Sequence, residues 1–211
     1  MGQAKIRKLN GTYFEMSKVS PSPVVSRPAP SIVWHYTVGA AIKQIRADGE
    51  LRLSTMAQGR EKSILWLSAN PDWEPSAVKT IVLNSKKIPL DKAGTEQLYG
   101  GLYRIAVSSS LLISWAEMKQ AYKPESVEIL EDAKRFGANP LDWWCSPSKV
   151  RSEHWMAIER FNDGWQVLRQ DEIPESRMPT TSDILTFLES RDIDVLQLLS
   201  NPLLFINNQC T

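Results

Sequence analysis

Five short runs rich in β-branched and aromatic residues constrain this chain more than any other feature. They are Ile32-Val33-Trp34-His35-Tyr36-Thr37, Ile64-Leu65-Trp66-Leu67-Ser68, residues 102–107, residues 154–161 and residues 165–169. Runs of this length and composition favour strands. The last two flank Asn162-Asp163-Gly164, and Asp-Gly between two such runs is a hairpin signal. Residues 78–83 return as a further strand.

Helical signals fill several gaps. Ala41, Ile42 and Ile45 fall at helical spacing, with Gly49 placed as the C′ cap. Asn70-Pro71-Asp72-Trp73-Glu74 reads as a helix start that Pro75 limits to about one turn. Ser114 caps residues 115–122, with Glu117 closing a capping box. Pro124 opens a helix whose face is Val127, Leu130, Ala133 and Phe136, and Gly137 ends it. Residues 182–190, capped by Ser182, and 193–206 also look helical. Residues 55–63, 84–100 and 138–152 read as polar or loop segments, the last holding Trp143-Trp144. Strands at both ends around helices indicate an α+β fold with a mostly antiparallel sheet.

Composition narrows the function classes. The 211 residues carry a net charge of +1, against a histone-like polyanion binder, and a hydrophobic fraction of 42% supports a real core. Two Cys, at 145 and 210, cannot build a disulfide scaffold. Two His and two Cys without metal-ligand spacing argue against structural zinc. No apolar stretch follows the basic N-terminus, no run approaches the ~20 residues of a membrane span, and Ile6 stands where a myristoylation signal needs Ser or Thr. These features predict a cytoplasmic protein with reduced thiols. Residues 1–30 hold five basic residues against one acid, with prolines at 21, 23, 28 and 30, and read as a basic arm or linker. The remaining divisions are a domain over 31–172 and a C-terminal helical appendage over 173–211.

Chemistry concentrates in few places. There is no nucleophile elbow, P-loop or dinucleotide-binding glycine motif. Cys145 and His154 lack the local signature of a Cys–His nucleophile. His35 ends a strand before Gly39 and a helix, sharing its face with Val33 and Thr37, while Trp34 and Tyr36 share the other. Such a histidine either hydrogen-bonds a ligand hydroxyl or sits at the edge of the core, satisfied by a backbone carbonyl.

His35-Tyr36-Thr37, the helix ending Asp48-Gly49-Glu50-Leu51-Arg52, the Trp66 strand with Ser68-Ala69-Asn70, and Arg151-Ser152-Glu153 at the head of a late strand carry a resemblance. In that order they resemble the ADP-ribosyltransferase fold of the diphtheria-toxin and poly(ADP-ribose) polymerase branch, with DarT-type nucleic-acid-modifying toxins among its relatives. The resemblance covers about residues 31–170. Tyr36 stands where that family usually has Gly, and Trp66 where it usually has Tyr. It implies a split, mostly antiparallel sheet with flanking helices and NAD as co-substrate. It also implies a nucleic acid or protein acceptor, and a setting such as a bacterial or phage toxin or defence effector with an antitoxin or regulatory partner. Cleaving the nicotinamide–ribose bond builds positive charge on the ribose, which a carboxylate stabilises. The resemblance gives that role to Glu153, with Glu159 as the alternative. It gives ribose binding to His35 with Thr37 in support, stacking to Trp66 or Tyr36, a cofactor contact to Ser68, and pyrophosphate pairing to Arg52 or Arg60.

Two other readings stand beside it. A non-catalytic module on the same scaffold would hold nucleic acid or a partner protein with its exposed Trp residues and basic arm; of Trp143 and Trp144, one ring plugs the core and the other stacks a base of a nucleic-acid acceptor. A relative using NAD as phosphate acceptor, like RNA 2′-phosphotransferases, calls for more His than this chain has.

Overall fold

The computed structural model describes residues 29–54, 63–169, 172 and 175–193. The basic arm before residue 29, Arg60, most of the 55–63 loop and the helical pattern after residue 193 lie outside the described residues.

The fold is α+β. Among the described residues eleven strands run β1 (Ile32–Val38), β2 (Glu50–Leu51), β3 (Leu65–Ser68), β4 (Thr80–Leu83), β5 (Lys86–Pro89), β6 (Leu102–Ser108), β7 (Ile113–Ser114), β8 (Trp143–Ser146), β9 (Val150–Arg151), β10 (Trp155–Phe161) and β11 (Trp165–Val167). Five α-helices accompany them among the described residues: α1 (Gly39–Asp48), α2 (Lys92–Leu98), α3 (Trp115–Met118), α4 (Pro124–Glu131) and α5 (Thr181–Ser190). A seven-stranded sheet runs β11-β10-β6-β1-β3-β8-β7, and β2-β9 and β4-β5 form two-stranded pieces. Every strand pairing among the described residues is antiparallel.

β1 and β6 lie at the centre because their residues satisfy both faces. One face carries Val33, Tyr103, Ile105 and Val107, which pack with Leu65, Leu67, Ile42, Leu51 and Val150 into the main core. α1 covers this face. It ends at Gly49, whose φ of 63° is the left-handed C′ geometry that glycine adopts without penalty. It begins without a side-chain cap; instead the Gly39 and Ala40 amides donate to Gly101 O and Tyr99 O at 3.0 and 2.9 Å. That docking needs glycine, since a Cβ at Gly39 would lie 2.1 Å from Gly100 O.

Two further cores flank the first. Trp115, Trp143, Cys145 and Ile64 pack under α3 and α4 on the opposite face. Ile81, Leu83, Ile88 and Leu90 pack against Phe187 and Leu188 of α5, so the 175–193 segment shares a core with β4, β5 and α2.

Several local expectations change. Asn70 does not open a helix: its side-chain oxygen accepts from the Asp72 amide at 3.0 Å, closing a side-chain turn, and the helical turn is a 3-10 piece over Pro75–Ala77 capped by Glu74. Ser114 does cap α3, but the α-helix stops at Met118 and continues as a 3-10 turn. Phe136 leaves its expected apolar face and is exposed. α5 is capped by Thr180 in a capping box with Asp183, not by Ser182. The 138–152 segment is not a loop: it supplies β8 and β9, and Trp143 and Trp144 are strand residues packed in two different cores.

Candidate functional site

The main sheet is nearly divided in the middle. β1 pairs with β6 along its whole length, seven residue pairs from Ile32↔Ser108 to Val38↔Leu102. On its other side β1 meets β3 at one pair only, Trp34↔Ser68. From His35 onward the ladder between β1 and β3 is absent.

His35 bridges that opening. Its Nδ1 lies 2.9 Å from the carbonyl oxygen of Trp66. A carbonyl only accepts, so Nδ1 carries the proton and Nε2 is left as the acceptor. Desolvation pulls the imidazole's pKa down, the carbonyl bond opposes this, and the positive charge of Lys79 lowers it further. The ring is thus neutral near pH 7, and it stays only partly buried in the central strand. A neutral Nε2 there can accept a hydrogen bond from a ligand hydroxyl or N–H. Thr37, buried on the same face, lies beside Tyr103 in the ladder.

Tyr36 and Ser68 serve the opposite face. The Tyr36 hydroxyl donates to Asn70 O at 2.5 Å, and its ring packs edge-on against Trp73 and Trp165. Burial pushes the phenol up to about 12, with Arg104 opposing. Ser68 donates to Glu74 Oε2 at 2.7 Å and accepts from the Asn70 amide. Glu74 also accepts from the Ser76 amide and hydroxyl. The Trp66 ring turns away from His35 into an aromatic core with Trp115 and Trp143, centroids 5.0 and 5.7 Å away. What Trp66 gives the opening is its carbonyl.

The structure therefore gathers His35, Tyr36, Thr37, Trp66 and Ser68 on the adjoining strands β1 and β3, on both faces. It does not bring Arg52 or Glu153 to them. Arg52 is exposed and pairs with Asp48 at 2.9 Å and Glu50 at 3.5 Å. Glu153 is exposed in a 3-10 turn before β10, its carboxylate 3.6 Å from His154 Nε2. The ladder sets Trp155 level with Val107, and Val107 level with Val33. Glu153 thus lies past the Val33 end and two strands over from β1, ~10 Å across. Glu159 sits opposite Arg104, which sits opposite Tyr36, on the face away from His35.

Arg104 is the feature that sequence reading missed. Its guanidinium lies between the rings of Trp34 and Trp165, 4.6 and 4.4 Å from their centroids. It donates to Glu159 and to Pro71 O. Trp165 Nε1 donates to Asp72 O at 2.7 Å. Side chains from β1, β6 and β11 thus hold three successive carbonyls, those of Asn70, Pro71 and Asp72. The signal was visible: a lone arginine in the apolar run 102–107.

No family model, curated protein or solved structure matches this chain. Among the described residues no three His, Cys, Asp or Glu side chains gather as a metal site, and no helix is long and apolar enough to cross a membrane.

Proposed function

We propose that the opening between β1 and β3 binds NAD and that the chain is an NAD-dependent ADP-ribosyltransferase acting on a nucleic acid or protein. The observation that carries this is His35: a neutral imidazole, fixed through Nδ1 at the one-pair seam between β1 and β3, with Nε2 left as an acceptor. Such a nitrogen suits a ribose hydroxyl. Thr37 supports it from the same face. The finer fold assignment, an ADP-ribosyltransferase-type split sheet, is part of the same proposal, as is a bacterial or phage effector setting.

The transfer needs a carboxylate able to meet positive charge on the ribose as the nicotinamide bond breaks. Glu159 is largely buried and paired with Arg104, whose guanidinium lies over the Trp34 and Trp165 rings, so its charge is already spent within the fold. Glu153 has no Lys or Arg partner among the described residues, and we assign it the role. The test is NAD binding by calorimetry together with NAD turnover in the presence of candidate acceptors. His35→Ala weakens binding, while Glu153→Gln leaves binding intact and abolishes turnover. Full turnover in Glu153→Gln removes that residue from catalysis, and absence of NAD binding sinks the reading.

A second reading is favoured by the distance of Glu153 from β1: a binding module on this scaffold that performs no transfer. Ligand binding that depends on His35, with no turnover under any acceptor, selects it.

A further inference from the structure

Among the described residues three buried side-chain atoms able to hydrogen-bond have no partner: Tyr103 Oη, Ser176 Oγ and the Trp143 indole nitrogen. Buried polar groups are almost always paired, because an unmet one keeps its desolvation cost. Two of the three border one corner of the fold, the adjacent Gly100 and Gly101. A Cβ at Gly100 would lie 3.6 Å from Ser176 Oγ, and one at Gly101 would lie 3.9 Å from Tyr103 Oη and 3.8 Å from Arg160 Nε. Both glycines have positive φ, 76° and 100°, which disfavours a side chain there. The strand ladder explains the meeting. Arg160 of β10 sits opposite Tyr103 of β6, and Tyr103 sits opposite Thr37 of β1, so the three share the His35 face. Tyr103 is fully buried, whereas Gly100 and Arg160 are exposed and Gly101 is partly exposed. The corner thus reaches from solvent toward the phenol. Burial raises the Tyr103 pKa, with the charge of Arg160 opposing, so the phenol keeps its proton and can donate. Among the described residues Arg160 forms no ion pair, and a guanidinium has donors only. A guest at this corner therefore meets one cation and two free hydroxyls. Donors from three separate segments suit a tetrahedral oxyanion, whose oxygens point several ways, better than a planar carboxylate, which the arginine fork alone would satisfy.

We propose that the Gly100–Gly101 corner is a phosphate-binding site, held by the Arg160 guanidinium and the Tyr103 and Ser176 hydroxyls. It stands on these contacts and not on the NAD reading, and no arm of its test uses NAD. Inorganic phosphate, with acetate as the planar comparison, is titrated by calorimetry into the full chain of the wild type, Arg160→Met, Tyr103→Phe and Ser176→Ala. The Arg160 Nε–H resonance, identified by its loss in Arg160→Met, reports binding at the corner. Phosphate binds the wild type and moves that resonance. Each of the three variants weakens phosphate by about tenfold or more, the range of one hydrogen bond to a charged group. Acetate binds the wild type at least about tenfold more weakly than phosphate does. Without phosphate, Tyr103→Phe melts at or above the wild-type temperature, because the hydroxyl it removes has no partner; this also shows that the variant is folded. Unchanged phosphate affinity in any one of the three variants overturns the site as drawn. So does an Arg160 resonance that phosphate leaves unmoved. Acetate as tight as phosphate overturns the assignment to phosphate.

Discussion

Replacing Arg104 by methionine should damage this protein more than any other single change on the second face of the sheet. The Arg104 and Glu159 side chains are only 8% and 16% exposed. Removing the guanidinium leaves Glu159 with no cation in a poorly hydrated position. Breaking a buried pair from one side costs about 3–5 kcal/mol. The lost bond to Pro71 O and the lost stacking against Trp34 and Trp165 fall within that range rather than adding to it, since all belong to one network. At about 2–4 °C per kcal/mol for a chain of this size, the melting point falls by ~6–20 °C. The assay is urea unfolding followed by near-ultraviolet circular dichroism, which also reports the packing of Trp34, Trp73 and Trp165. The double variant Arg104→Met/Glu159→Leu removes both charges and recovers most of the loss, because no lone carboxylate remains. A cost below about 1 kcal/mol for Arg104→Met, or a double variant as unstable as the sum of the two singles, would refute the argument that Arg104 offsets a buried charge.

Two further outcomes follow from packing and charge. Gly39→Ala drives a Cβ against the backbone of Gly100 and costs at least ~2 kcal/mol, seen as a lower melting temperature, whereas an alanine at exposed Gln44 of the same helix is nearly neutral. The Glu131 carboxyl is raised by burial, but Lys134, Lys119 and the Trp115 indole N–H together hold it down at about 2. Its folded pKa is below its ordinary value, so its stabilising contribution is present above about pH 4.5 and is lost as pH falls toward 2. Urea midpoints measured across that window decline more steeply for the wild type than for Glu131→Gln.

Much of the fold could be read from the chain because the informative residues act locally. β1, β3, β6 and the β10–β11 hairpin are dense in β-branched and aromatic residues, and Asp163 and Gly164 supply the positive φ angles of the turn. Gly49 and Pro124 mark helix boundaries by backbone chemistry alone. β8 was not legible: Trp143-Trp144-Cys145-Ser146 is four residues long, follows a proline-led turn, and becomes a strand because β3 and β7 pair with it on both sides. β5 and α2 were hidden for a similar reason. Lys86-Lys87-Ile88-Pro89 is polar and pairs only through the tight Asn84–Ser85 turn, while α2 depends on an Asp91 cap in a segment of mixed polarity. At the candidate site, the alternation placing His35 with Thr37, and Tyr36 with Trp34, was readable from period alone. The carbonyl that orients His35 was not, since it belongs to a strand thirty-one residues away. Nor was the pinning of residues 70–72, which joins three strands distant in sequence.

The one rung between β1 and β3 distributes stiffness unevenly through the molecule. Seven rungs lock β1 to β6, and four lock β3 to β8, so each half of the sheet moves as a plate. Between the plates the backbone ladder is a single pairing, and the rest of the link is side chains: His35 on Trp66 O, and Tyr36, Arg104 and Trp165 on the carbonyls of residues 70–72. A guest entering there can widen the gap by tilting one plate about the Trp34–Ser68 pair, leaving every other ladder intact. Amide exchange at Trp66 and Leu67 would then respond to occupancy, while that of Ile105 and Val107 would not.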